Sequence, residues 1–203
     1  HNAAGLRRVI ACSYQSVSGA GQQGVEQLWS ELREATTSSR PPDGPRGHAF
    51  KHPIAMNIIP AIGSVRGSHT SEEVKVAAEL RKILGVPDLA VGMTCVRVPT
   101  LVGHGVAVHA EFVQTLDPQQ ARRILEGAPG VAVVDEPSSA QYPTPLRAAG
   151  HDPCYVGRIR IDEAGNLAFF AVADNLRKGA ALNAVQIAEH LIQRGLVRSG
   201  VRA

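Results

Sequence analysis

Apolar positions along the chain recur with two periods. Residues 6–14 have an apolar centre at Val9, Ile10 and Ala11 and read as a short buried strand. From Gly21 the spacing changes. Val25, Leu28, Trp29 and Leu32 fall at i, i+3, i+4 and i+7, one apolar face of a helix ending near Thr36. Residues 36–47 are rich in Pro, Gly and Ser and read as a mobile loop. Residues 53–64 are apolar but interrupted by Pro53 and Pro60, which predicts an edge strand or an extended segment. Thr70 and Glu73 have capping-box spacing ahead of a helix that runs to Leu84, with Val74, Ala77, Ala78 and Ile83 as its apolar stripe and Gly85 and Pro87 as its stop.

The second half is rich in strands. Residues 89–115 read as β-structure, and Val106, Val108, Ala110 and Phe112 alternate with Ala107, His109, Glu111 and Val113 as in a half-buried antiparallel strand. Asp117 N-caps a helix that has Pro118 in its first position and runs to Glu126. A strand is expected at 130–136, a loop at 137–153, and a hairpin of 154–162 and 167–174 across "EAGN". Residues 176–194 form a strong final helix on Ala180, Val185, Ile187, Ala188 and Leu191. No internal repeat interrupts this order. It predicts an α+β fold with a mixed, largely antiparallel sheet and helices on one face.

Composition narrows the function. The 203 residues suffice for one large domain or two small ones. With 44% apolar and 4% aromatic residues, the core must be mainly aliphatic. The net charge of +3 is scattered, with no Lys/Arg cluster of the kind that grips nucleic acid. A few cations serving an anionic small molecule fit better. Three cysteines without a CxxC suggest neither a disulfide framework nor a zinc site, the histidines have no ligand spacing, and no metal is expected. No apolar run is long enough to cross a membrane and no signal peptide is present, so a reducing cytoplasm is the expected setting. No GxGxxG follows a strand; the nearest match, "SGAGQQG", lacks the βαβ unit with its acidic ribose partner. The chain opens without Met and enters a strand at once, as though cut from something longer.

Several residues could carry chemistry. Gln15 ends the first strand beside "SVSGAG", where it could place a water or a carbonyl, although a plain loop and helix cap centred on Ser18 explains the stretch equally simply. Arg97 lies between Val96 and Val98 on a strand, a natural clamp for a carboxylate. His104, seven residues on between two glycines, suits acid–base work. Against these stand a surface strand Arg and a satisfied turn His. Glu72 and Lys75 share a helix face, either as a solvated ion pair or as a pair that holds a zwitterion. Cys12 and Cys95 read as buried, inert thiols, because no base is near them in sequence.

Taken together, "YQSVSGAG", "MNIIPAIGS", "TSEEVKVAAELRKILG", "TCVRVPTLVGHGVAVHAEF" and "DNLRKGAALNAVQIAE" resemble the aspartate-β-semialdehyde dehydrogenase family, in the family's order and over most of the chain. The resemblance implies a fold like the C-terminal domain of glyceraldehyde-3-phosphate dehydrogenase-like enzymes. It implies a substrate-binding and dimerisation unit at 1–173, and at 174–203 a helix that in the family packs on the cofactor domain. It implies NADPH-dependent reduction of β-aspartyl phosphate to aspartate semialdehyde with release of phosphate, through a cysteine thioester, in lysine, threonine and methionine synthesis. By the same resemblance His104 and Gln15 are catalytic, and Arg97 binds the substrate carboxylate. Glu72 meets the amine and Lys75 the phosphate, while Ser18, Gly19 and Asn175 line the NADP site. The family's nucleotide-binding domain and nucleophilic cysteine have no counterpart in these residues. The chain alone is therefore expected to be inactive, and to form a homodimer through its sheet. Two other readings are a naturally short, non-catalytic relative acting as a dimerisation or interaction module, and a relative acting on another acyl phosphate. Glu72, a partner for a free amine, argues against the latter.

Overall fold

The computed structural model describes residues 1–44 and 49–196. β1 (Leu6–Gln15) leads through a 3-10 turn, Val17–Ala20, into α1 (Gln22–Ser38). A small hairpin, β2 (Val65–Arg66) and β3 (His69–Thr70), precedes α2 (Ser71–Leu84) and β4 (Ala90–Arg97). β5 (His104–Phe112), α3 (Pro118–Glu126) and β6 (Val131–Val133) follow, then α4 (Pro145–Ala148) within the expected loop. β7 (Cys154–Ile161) and β8 (Leu167–Ala173) make the expected hairpin, and a π-helical turn, Arg177–Ala181, opens α5 (Leu182–Gln193).

Six strands form one sheet in the order β4-β1-β5-β8-β7-β6. β1 pairs in parallel with β4 and β6 with β7, while the β1–β5, β5–β8 and β7–β8 pairs are antiparallel, so the sheet is mixed and mainly antiparallel as predicted. α2 and α3 lie over one face. Their Val76, Leu80, Ile124 and Leu125, with Val9, Ala11, Val106 and Val108 beneath them, line an apolar cleft of about 490 Å³. It reaches from His1 and Ala3 to Gln15 and His104. The other face presents Ile10 and Tyr14, both exposed, beside Phe170.

Several expectations are corrected. On α1 the expected Val25, Leu28 and Leu32 pack on the core, but Trp29 is exposed and Gln27 and Glu31 are buried with Gly24 and Ala35, because main-chain amides of the following segment need the polar pair. On α2, Leu80 and Leu84 face the sheet, while Val74 and Ile83 of the expected stripe are exposed. Of the edge strand or extended segment expected at residues 53–64, the strand is absent, and the segment contributes one bridge, Ile59 to Arg97. Cys12 is not buried. Strand alternation sends Val9, Ala11, Ser13 and Gln15 inward, which leaves Cys12 half-buried on the open face with Tyr14. The expected loop at 36–47 begins only after α1 ends at Ser38, and its residues 45–47 lie outside the described residues. The final helix forms, yet no residue of α5 is buried.

Candidate active site

The C-terminal ends of β1 and β4, the start of β5 and the N-terminus of α2 meet at one corner of the sheet. β1 and β4 run parallel in a register that pairs Gln15 with Arg97, so both side chains reach the same corner. β5 runs the other way, with Tyr14 opposite Gly105, and this brings His104 alongside. α2 is aimed by its cap. Thr70 Oγ1 accepts from Glu73 N, and Glu73 Oε2 accepts from Thr70 N at 2.8 Å. The amide of Cys95 on β4 donates to Glu73 Oε1 at 3.4 Å, which ties the helix to the sheet. These amides, that of Thr70 foremost, hold the Glu73 carboxyl below its usual pKa.

With α2 so placed, Gln15 Nε2 donates to Glu72 Oε1 at 3.3 Å, and Lys75 Nζ lies 2.7 Å from Glu72 Oε2. Gln15 Nε2 also donates to Ser13 Oγ at 3.2 Å. The hydrogen bond from Lys75 to Glu72 raises the Lys75 pKa. The helix-face pair is therefore a real ion pair, and through Gln15 it belongs to the corner.

Arg97 is 6% exposed, and among the described residues no carboxylate lies within ion-pair distance of it. Its Nη1 donates to Ser16 O at 2.6 Å. Burial lowers its pKa, against the pull of Glu72, but a guanidinium keeps its charge at any physiological pH. His104 Nδ1 accepts from Ser16 N at 3.2 Å and lies 3.1 Å from Ser16 Oγ. The neutral ring therefore carries its proton on Nε2. Burial, and then the Arg97 charge, push the His104 pKa down to about 4. Gly19 separates the two heads. A Cβ there would sit 2.8 Å from Arg97 Nη1 and 3.0 Å from His104 Nε2.

Ser18 and Asn175 hold the turn in shape. Asn175 Nδ2 donates to Ser18 Oγ at 3.0 Å, and Asn175 Oδ1 accepts from Gly103 N at 2.9 Å and from Ser16 Oγ at 3.1 Å. With their polar atoms used internally, these two present little beyond a wall, and Gly19 leaves main chain bare beside it. That suits the edge of a cofactor site, not a complete dinucleotide site. None of the three thiols suits nucleophilic attack here. Cys12 faces away from Gln15, and burial raises the pKa of both Cys95 and Cys154. Cys95 pairs in register with Ser13, close to Gln15, but it is fully buried.

The structure thus brings Gln15, Glu72, Lys75, Arg97, His104, Ser18, Gly19 and Asn175 to one corner. Sequence reasoning missed Ser16, whose main chain and hydroxyl join Arg97, His104 and Asn175. No spacing marks it, because the partners that tie it to the corner, Arg97, His104 and Asn175, lie far along the chain. It also missed Asp174, whose carboxylate accepts from Gly150, Leu176 and Arg177 amides, although an Asp ahead of a helix is a legible cap signal.

A family sequence pattern described as "Semialdehyde dehydrogenase, dimerisation domain" matches residues 1–178. The chain belongs to the semialdehyde dehydrogenase family, as this domain. The semialdehyde dehydrogenase domain is 41% identical over 206 aligned positions to aspartate-semialdehyde dehydrogenase of Aquifex aeolicus, covering 97% of this chain and 58% of that protein. It is 44% identical over 201 positions to the Streptomyces akiyoshiensis enzyme of the same name, covering 93% and 58%. In three dimensions it is similar to aspartate semialdehyde dehydrogenase II of Vibrio cholerae complexed with ASA, with a TM-score of 0.86, 39% identity, and coverage of 95% of this chain and 56% of that one. The chain thus spans a little under three-fifths of the length of these relatives. Among the described residues no helix is long and apolar enough to cross a membrane, and no group of three or more His, Cys, Asp or Glu is placed to hold a metal ion.

Proposed function

We propose that this chain is the substrate-binding and dimerisation part of an aspartate-β-semialdehyde dehydrogenase, a cytoplasmic enzyme of amino-acid synthesis that reduces β-aspartyl phosphate with NADPH. The observation that carries this reading is a buried Arg97 with no carboxylate partner among the described residues, beside a neutral His104. A buried cation without a counter-ion is costly, and a ligand carboxylate supplies what the protein withholds. Glu72 would take the substrate amine and Lys75 the phosphate. Gln15, held by Glu72 and Ser13, would orient the reacting carbonyl. NADP, when bound, supplies the hydride; Ser18, Gly19 and Asn175 contribute one edge of its site. The nucleophile would come from a part of the enzyme outside these residues. Residues 1–173 would form the substrate-binding unit, and residues from 174 a helix that docks on the cofactor domain. Against the alternative of a short, non-catalytic module stands the gathering of Gln15, Glu72, Lys75, Arg97 and His104 at one corner, which a dimerisation role alone would not need.

The geometry couples binding to proton affinity. The Arg97 charge is the second cause of the low His104 pKa. A substrate carboxylate on Arg97 neutralises that charge, so His104 gains basicity when the site is filled. Titration of the purified chain with succinate, followed by the His104 ring signals in NMR, is expected to raise the pKa from about 4 toward the ordinary value of 6.5. Arg97→Ala is expected to raise it without ligand and to abolish the response. Equal succinate affinity in wild type and Arg97→Ala would remove Arg97 from the site. NADPH-dependent turnover by the chain alone would overturn its assignment as an inactive part. The homodimer is proposed to form through the open sheet face, where Ile10 is 50% exposed beside Tyr14; Ile10→Arg is expected to yield monomer in light scattering.

A further inference from the structure

The flexible head of Arg97 must be held in place without being neutralised. Two contacts do so, on a main chain that is itself pinned. Nη1 donates to Ser16 O at 2.6 Å. The main chain of Arg97 exchanges both bridge hydrogen bonds with Ile59, at 3.0 and 2.9 Å. The guanidinium carbon lies 5.7 Å from the ring centroid of Phe50. Phe50 and Ile59 both belong to the segment 49–59, which has no helix or strand of its own.

Two buried polar side chains one turn apart on α1 hold that segment. Gln27 Nε2 donates to Glu31 Oε1 at 2.7 Å. Gln27 Oε1 accepts from the amides of Ala49 and Phe50, at 3.3 and 3.1 Å. Glu31 Oε2 accepts from the amides of Ile54 and Ala55, at 2.7 and 2.8 Å. Main-chain amides shut away from water need acceptors, and this pair supplies them at both ends of a short run, which fixes the backbone that carries Phe50. Gly24 lets the ring come close, since a Cβ there would lie 3.1 Å from the Phe50 ring.

We propose that Phe50 is a positioning residue for Arg97, seated by the Gln27–Glu31 clamp of α1. An aromatic face attracts a guanidinium and fixes its plane. A carboxylate in the same place would also fix it, but would occupy the charge that an incoming anion must meet. The ring orients the cation and leaves it available. The proposal rests on the reading above only for the nature of that anion; the seating of Arg97 is a property of the free chain.

The test uses the purified chain without ligand and reads solvent exchange of the Arg97 Nε–H by NMR, its signal assigned by its loss in Arg97→Lys. Phe50→Leu, which keeps most of the bulk and removes the ring face, is expected to speed this exchange roughly tenfold while leaving exchange of the Arg97 backbone amide unchanged, with only a modest fall in melting temperature from lost packing on the Val17, Leu28 and Ile54 cluster. Phe50→Tyr restores the slow exchange, and Glu31→Ala reproduces the fast exchange. If Glu31→Ala fails to fold, the two Phe50 variants decide. Wild-type exchange in Phe50→Leu, or failure of Phe50→Tyr to restore it, overturns the proposal. Succinate is then titrated into wild type and Phe50→Leu, with weaker binding expected in the variant. If succinate fails to bind wild type while exchange still follows Phe50, the carboxylate reading falls and the positioning role stands.

Discussion

The corner built by Gln15, Arg97 and His104 and the helix α5 arise from equally clear sequence signals and end in opposite states. At the corner, side chains are held by partners far along the chain: Ser16 bonds His104 across 88 residues and Asn175 across 159. α5 carries apolar residues at helical spacing, yet Val185 and Ile187 are each 54% exposed and Ile192 is 63% exposed. Periodicity shows that a face needs covering and says nothing of what covers it. The corner finds its cover within the chain. The surface that would cover α5 is not among the described residues, in keeping with a chain shorter than its relatives.

Substitutions can sharpen or break this contrast. The largest effect is expected for Asp174→Ala, where the last strand meets the π-turn. Gly150, Leu176 and Arg177 amides lose their acceptor, at a cost of about 3 kcal/mol in denaturant unfolding. Next comes the acid response of the corner. The folded-state pKa of His104, about 4, lies below the ordinary 6.5, so between these values the unfolded chain binds the proton and the folded chain does not. Stability from this group is complete above 6.5 and falls as pH drops toward 4, by a few kcal/mol at most. His104→Asn is expected to flatten that part of the stability profile relative to wild type. An unchanged slope would mean that the ring is solvated. Gly19→Ala forces the Arg97 and His104 heads apart, with an expected loss of roughly 1–3 kcal/mol and of succinate binding. The smallest effect belongs to α5, where Ile187→Asp is expected to change stability by no more than about 0.5 kcal/mol. A loss as large as that of Asp174→Ala would show α5 packed in solution and end the contrast.

Sequence was legible where chemistry follows local spacing. The Thr70–Glu73 cap, the hairpin across "EAGN" and the mixed sheet with helices on one face were all readable, because each depends on neighbours or on simple alternation. It misled where polar residues took core positions. Apolar spacing put Trp29 inside, but Gln27 and Glu31 are buried in its stead to serve amides that only the folded chain brings near. Arg97 and His104 could be picked out by residue type and flanking residues. Ser16 and Phe50 could not, because their importance lies in contacts with residues remote in sequence.

No side chain of α2 is fully buried, and its hold on the sheet is shared between Leu80 and Leu84 in its second half and one polar residue in its first turn. The bearing of that first turn is held by Glu73, which closes the cap with one oxygen and grips the Cys95 amide with the other. Glu73 works as a key seated in a shaft. Each residue of a helix advances about 100° around the axis, so once Glu73 is seated the bearing of Glu72, and with it the contact to Gln15, is decided. The aim of the acidic group at the corner is thus inherited from a neighbour that faces the sheet, and a fault in that neighbour would surface as a misdirected site in a helix that still looks intact.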